Sequence, residues 1–249
     1  MTKPLSRAII LYRFQKETDP NMAMTKRDRL TYLRRRALAR WLYRRPLSQL
    51  SPERLYLWSQ ALIETADVPG AVVEIGCASG GTSAHCDQLL RNIGARKRYV
   101  AIDTFNGFVP DQFDHDAERG TPEAVRHGFA ASSRPLVQQI LRQLGAPDVE
   151  LIHGDIVSLA PDALPPRISA VLVDVDLSQP VYAALRKVWP LMAPGGTVLV
   201  DDCDLRTGFR AREGFERFCA EHGLAERYAY GMGVLRRDPA PASGAPVSV

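Results

Sequence analysis

Six carboxylates stand at or beside the points where short apolar runs stop. Glu74 lies in the run 71–75, Asp103 ends 98–103, and Asp155 follows 150–153. Asp174 ends 170–174, and Asp201 with Asp202 closes 197–201. Runs of this length, apolar throughout rather than alternating, read as strands buried on both faces of a parallel sheet. Ligands of such sheets sit beyond the carboxyl ends of the strands, so these acids are expected to converge on one rim.

The first run leads into a glycine-rich loop, VVEIGCASGG over 72–81. Gly76, Gly80 and Gly81 between a strand and a helix let backbone approach a ligand, and the helix start offers free N–H groups. Thr82 and Ser83 add hydroxyls. The spacing G-x-x-x-G-G is neither the G-x-G-x-x-G dinucleotide fingerprint nor a P-loop with Gly-Lys-Ser/Thr, which counts against NAD and ATP. Asp103, one strand later, suits two ribose hydroxyls; it also suits a simple turn cap. Loop and acid in this order point to a nucleotide-like cofactor. Its expected contacts are Glu74, Gly76, Ala78, Ser79, Gly80, Thr82, Ser83, Asp103, Thr104 and Asp155. The last follows His153-Gly154 and could face a base amine or merely form a turn.

Asp174, Asp201 and Asp202 end runs expected to be neighbouring strands. Carboxylate oxygens suit a hard cation such as Mg²⁺, and adjacent strands lie about 5 Å apart, close enough to share one. Such an ion would bind vicinal acceptor oxygens and lower a hydroxyl pKa. Asp176, two residues on, either joins this set or caps the following helix. For a proton acceptor the candidates are Asp174 itself, His115 and His127; lone loop histidines are also commonly just solvated.

The elements that must hold these groups alternate. Strands at 71–75, 98–103, 150–153, 170–174 and 197–201 are separated by helices at 80–93, 133–144, 180–189 and 208–222. A closing hairpin covers 225–230 and 233–237, and Ala193-Pro194-Gly195-Gly196 reads as a turn. This is a doubly wound α/β domain with a mostly parallel sheet. The chain has 249 residues, 45% hydrophobic and 24% charged, enough for one such domain with an extension. Three zones are expected: a basic helical extension or lid over 1–69, the α/β domain over 70–237, and a disordered Pro/Ala/Ser tail over 238–249.

The blocks VVEIGCASGGTSA, YVAIDTFNGF and VLVDVDLSQPVYAALRKVWPLMAPGGTVLVDD resemble the macrocin O-methyltransferase family of antibiotic sugar O-methyltransferases. The resemblance covers about 70–221. It implies a seven-stranded class I methyltransferase fold, S-adenosylmethionine as methyl donor, and Mg²⁺ held by Asp174, Asp201 and Asp202. It further implies a small natural-product or sugar hydroxyl as acceptor. Two positions depart from the family's pattern: Ser178 and Cys203 stand where aromatic residues are common. Either change would reshape the acceptor pocket or alter its metal dependence. A module that binds the cofactor without turnover is the alternative these departures raise.

Net charge is +4, and arginines crowd the segment 26–45. Tyr32, Leu33, Leu38, Trp41 and Leu42 among them predict a basic amphipathic helix over 31–42. It is expected to pack against the core or a second subunit of a homo-oligomer with its basic face solvated, and the family resemblance implies that such N-terminal helices cover the acceptor site. A polyanionic acceptor such as RNA is the rival role, but no aromatic RNA platform accompanies the helix, so nucleic acid is not the expected partner. The polar segment 104–131 is read as an irregular insertion forming the opposing wall, with Phe105, Phe108 and Phe113 as apolar contacts. No apolar run reaches membrane-span length, and Cys77, Cys86, Cys203 and Cys219 contain no CxxC pair. Reduced thiols and a cytoplasmic location are expected.

Overall fold

Short apolar stretches that end on a glycine or a carboxylate form the parallel centre of a seven-stranded sheet. The computed structural model describes residues 25–38 and 48–238. The strands are β1 (Ala71–Ile75), β2 (Tyr99–Asp103), β3 (Glu150–His153), β4 (Ile168–Val173), β5 (Met192–Val200), β6 (Tyr228–Ala229) and β7 (Met232–Arg236). Their order is β3-β2-β1-β4-β5-β7-β6. The first five are parallel, and β7 runs antiparallel to β5 and β6. The chain reverses its direction of travel across the sheet at β1, where Val73 pairs with Val100 of β2 on one side and Val171 of β4 on the other. A crevice opens at such a switch point.

The residue alternation of the strands separates two apolar layers. Val73, Ile75, Val171, Val173, Val198 and Val200 pack against α6 (Ser178–Val188) and α7 (Ala211–His222). Val72, Ala101, Ala170, Leu172 and Leu199 face α2 (Pro52–Glu64), α3 (Gly81–Asn92) and α5 (Arg134–Gln143). Helix α2 starts at a Ser51 cap that accepts from Arg54 N, has Pro52 in its first turn, and buries Leu55, Trp58, Ala61 and Leu62. The chain divides into two compact units, Met1–Arg45 and Pro46–Val249. Thus 46–69, assigned from sequence to the extension, falls in the same unit as the sheet.

In the first unit the described helix is α1 (Lys26–Ala37). It begins five residues before the predicted 31–42 because Thr25 and Asp28 cap each other reciprocally: Thr25 N and Oγ1 donate to Asp28 Oδ2, and Asp28 N donates to Thr25 Oγ1. Tyr32, Leu33 and Leu38 are exposed. Arg40, Trp41, Leu42, Arg44, Arg45 and nearly all of the 238–249 tail lie outside the described residues.

Other predicted elements differ from the structure too; α7, predicted from 208, starts at Ala211. The segment 193–196 is not a turn: β5 runs through it from Met192, with a register irregularity opposite Ile168/Ala170. Gly195 N bonds to Arg237 O, so the Pro-Gly-Gly sequence is held as strand by its neighbours rather than by propensity. Helix α6 starts at Ser178 instead of residue 180, for a reason given below. The insertion 104–131 is not wholly irregular: it contains α4 (Pro110–Ala117), whose Gln112, Phe113 and Asp116 are buried. The closing hairpin turns through Tyr230-Gly231, both at positive φ (51° and 79°), as the tight turns that suit strand twist require.

Candidate active site

Four strand ends turn sharply, each through a non-glycine residue at positive φ: Ala78 (46°) after β1, Phe105 (50°) after β2, Asp176 (62°) after β4 and Asp202 (54°) after β5. Such backbone strain concentrates where a fold must aim groups at one point. Here the turns surround a single cavity beyond the carboxyl edge of the sheet.

One end of the cavity is built around Asp103. Its Oδ2 accepts from Ala78 N at 2.8 Å and its Oδ1 from Phe105 N at 2.7 Å, so the carboxylate ties the glycine loop to its own strand end. Burial raises its pKa, opposed by these backbone bonds. Gly76 has no room for a side chain, since a Cβ there would stand 1.7 Å from the Asp174 carbonyl oxygen. Gly80 occupies the left-handed N-cap of α3 at φ 77°, and a Cβ would press on Val137 and Leu141 of α5. Asp155 accepts from Gln112 Nε2 at 2.9 Å and from Val157 N at 3.0 Å.

Of the residues expected to contact the cofactor, Gly76, Ala78, Asp103, Thr104 and Asp155 line the cavity. The others are turned elsewhere. Glu74 is buried beneath the loop and accepts from Ser83 Oγ at 2.8 Å and Tyr99 Oη at 2.6 Å. Burial pushes its pKa up to about 7. Thr82 shares a hydrogen bond with Ser48 at 2.8 Å. Ser79 is exposed, and Gly80 serves the loop's shape.

The other end is acidic. Asp174, Asp176 and Asp202 each bring one carboxylate oxygen within 4.8 Å of the others. Asp201 is turned toward Arg54 of α2 instead. Arg54 Nη1 lies 2.7 Å from Asp201 Oδ1 and donates to Asp202 Oδ1 at 2.8 Å. The contact with Asp201 is an ion pair without hydrogen-bond alignment, so this buried oxygen has no hydrogen-bond partner. Burial, then the neighbouring carboxylates, push Asp174 and Asp176 well above the usual range. Asp201 rises to about 6 despite Arg54. Three converging oxygens and an excess of negative charge over the single Arg54 fit a hard divalent cation. Asp176, whose sequence position allows either role, belongs to the converging trio; Asp201 stands beside it.

Aromatic rings close the remaining wall. Phe108 lies 5.5 Å from Phe129 and 6.2 Å from Phe209, and all three line the cavity. Phe113 sits behind Phe108, fully buried, with the Arg126 guanidinium 4.4 Å over its ring. Phe105 is buried against His153. Thus of the three phenylalanines expected at this wall only Phe108 reaches it. Phe129, Phe209, Gln49, Leu50 and Arg54 carried no sequence signal, because they come from two separate loops and from the segment that leads into the first turn of α2.

His115 does not line the cavity; its half-exposed ring has Nε2 4.0 Å from Oδ1 of the buried Asp116. His127 is exposed. Neither family departure lines the cavity. Cys203 is buried in the apolar layer under α7, its thiol pushed up to about 12 by burial. Ser178 opens α6, with its N and Oγ donating to the fully buried Asp116 at 2.7 and 2.5 Å. That cross-element cap is why the helix starts two residues before Pro180.

The sheet order and the switch-point cavity define a class I methyltransferase fold. Solved structures share it at low sequence identity. The O-methyltransferase NovP matches with a TM-score of 0.65 at 20% identity, covering 77% of this chain and 82% of that one. The calicheamicin methyltransferase CalS11 matches with a TM-score of 0.62 at 21% identity, covering 89% and 97%. A family model described as Macrocin-O-methyltransferase (TylF) matches residues 8–229, and the chain belongs to that family. One relative is the 8-demethyl-8-(2,3-dimethoxy-alpha-L-rhamnosyl)-tetracenomycin-C 4'-O-methyltransferase of Streptomyces olivaceus. It is 31% identical over 140 residues, 54% of this chain and 53% of that protein. The Mycinamicin III 3''-O-methyltransferase of Micromonospora griseorubida is 26% identical over 165 residues, 64% of each. The chain therefore spans between about half and two thirds of the length of these curated relatives.

Proposed function

We propose that this protein transfers the methyl group of S-adenosylmethionine to a hydroxyl of a small glycosylated natural product, assisted by Mg²⁺. The observation that carries the reading is one cavity with two chemically distinct ends, a loop-and-carboxylate end at Gly76, Ala78 and Asp103 and an acidic, aromatic-walled end at Asp174, Asp176 and Asp202. The names of the relatives, which act on sugar-bearing natural products, support the acceptor class.

Asp103 is suited to accept from the donor's ribose hydroxyls because its two oxygens, each already fixed by a backbone N–H, keep lone pairs toward the cavity. Gln112 holds Asp155 as the neighbouring acceptor. When bound, S-adenosylmethionine would supply an electrophilic methyl carbon, and a divalent cation held by Asp174, Asp176 and Asp202, with Asp201 adjacent, would supply positive charge at the acceptor end. Methyl transfer would release the hydroxyl proton, which a carboxylate of this chain would accept. Asp174, which lies both in the acidic cluster and on the cavity wall, is the residue we assign. Phe108, Phe129 and Phe209 hold the apolar part of the acceptor and exclude water, so alignment of the reacting atoms supplies most of the acceleration.

No described helix is long and apolar enough to cross a membrane. All four cysteines are buried free thiols, which supports a cytoplasmic site of action. The test is transfer of labelled methyl from S-adenosylmethionine to a panel of glycosylated polyketides, with and without a chelator. The reading requires methylated product and S-adenosylhomocysteine in equal amounts, loss of both on chelation and recovery with Mg²⁺. Transfer that survives chelation would remove the metal from the mechanism and leave the rest; no transfer to any acceptor would remove the activity.

A further inference from the structure

Arg54 is the only basic side chain among the described residues that line the cavity. It contacts two of the four carboxylates there, Asp201 and Asp202, and its side chain is only 17% exposed. One guanidinium nitrogen, Nη1, serves both Asp201 and Asp202. A cation at the trio formed by Asp174, Asp176 and Asp202 would therefore share Asp202 with a resident positive charge. The backbone of Arg54 cannot retreat far, because Leu55 and Trp58 beside it are anchored in the core. Its side chain can. Nε holds Tyr230 O at a long 3.3 Å. Asp204 offers the guanidinium a further anionic neighbour across the closely packed Gly231, where a Cβ would stand 3.1 Å from Arg54 Nη2 and 3.1 Å from Asp204 Cβ.

We propose that Arg54 is a displaceable counter-ion of the acidic cluster: it bridges Asp201 and Asp202 in the cation-free protein and yields Asp202 when a divalent cation binds. The inference rests on the divalent-cation part of the function proposed above. It makes Arg54 a positioning residue that keeps the empty cluster folded and holds cation affinity down. Loading of the site is thereby coupled to the first turn of α2, which borders the acceptor end. The energetic reason is that removing one charge of a buried group leaves the others uncompensated, whether the compensating charge is a guanidinium or a metal.

The experiment is calorimetric titration of Mn²⁺ into the full chain and its Arg54→Met variant, with melting temperatures measured at each Mn²⁺ concentration. Arg54→Met is expected to melt lower without metal, to bind Mn²⁺ at least about tenfold more tightly, and to gain more melting temperature from it than the unaltered protein. Equal or weaker binding by Arg54→Met would overturn the proposal alone, since Arg54 would then pre-orient the ligands rather than compete with the ion. Absence of Mn²⁺ binding in both proteins would overturn it together with the metal part of the functional reading. Should Arg54→Met fail to fold, Arg54→Lys keeps the charge without the planar fork. It is expected to bind about threefold more tightly than the unaltered protein, and unchanged or weaker binding would overturn the proposal equally.

Discussion

The fully buried Asp116 accepts two hydrogen bonds from Ser178, one from its backbone N at 2.7 Å and one from its Oγ at 2.5 Å. The pair joins α4, in the insertion, to the first turn of α6, next to the strand end that carries Asp174. Helix α4 in turn supplies Gln112 and follows directly on Phe108 and Val109, all three at the cavity wall. Ser178 therefore acts on the site through the fixation of its wall.

Asp116→Ala should destabilise the protein by about 2–3 kcal/mol, because it strands a buried backbone donor and a hydroxyl. Ser178→Ala should cost about 1 kcal/mol, since the backbone bond survives. Urea unfolding of the two single variants and the double variant checks this. The effects should be strongly non-additive, with the double variant close to Asp116→Ala alone.

Phe108→Ala should raise the acceptor KM about tenfold, the equivalent of ~1.4 kcal/mol of lost apolar contact, with little change in affinity for S-adenosylhomocysteine. Steady-state kinetics with both substrates varied separates the two. A matching loss on the cofactor side would mean that the aromatic wall does not belong to the acceptor end.

Glu74 predicts a pH dependence of stability. Its folded pKa of about 7 lies above the ordinary value of 4.5, through burial, with Tyr99 and Ser83 opposing. The folded state therefore holds the proton longer than the unfolded chain. The stabilising contribution is complete below about pH 4.5 and is lost as pH rises through about 7, a decline of ~3 kcal/mol. Glu74→Gln, whose amide oxygen can still accept from Tyr99 and Ser83, should flatten that decline. Melting temperatures between pH 5 and pH 8 should converge toward the acid end and separate in favour of the variant toward the alkaline end. Parallel profiles would show that Glu74 does not titrate in this range.

The parts of this molecule that are local in sequence were legible in it. β1, its glycine loop and β2 are contiguous patterns of apolar run, glycine and carboxylate, and their spacing alone led to the cavity end at Asp103. The acids of the other end were legible as strand terminations, but their grouping was not. Which three oxygens converge depends on the positive φ of Asp176 and Asp202 and on Arg54, a residue 148 positions from Asp202. Asp116 and Ser178 are 62 positions apart, so Ser178 read only as a departure from an aromatic norm. Thr82 and Ser83 look like ligand donors in sequence, yet their hydroxyls are taken by Ser48 and Glu74, partners that only the packed structure supplies. The aromatic wall failed for the same reason: Phe129 and Phe209 come from different loops, and no periodicity links them to Phe108.

Everything proposed for the reaction depends on the glycine loop and Asp103 forming the binding end for S-adenosylmethionine. Calorimetric titration with S-adenosylhomocysteine, run on the unaltered protein and on Asp103→Ala, tests it most directly. Asp103 fastens Ala78 N and Phe105 N while remaining at the cavity wall. Its removal should therefore cost about 1.5–3 kcal/mol of binding, a tenfold loss or more. One site per chain is expected in the unaltered protein, with that loss in the variant. No binding to the unaltered protein, or equal binding by both, would contradict the assignment.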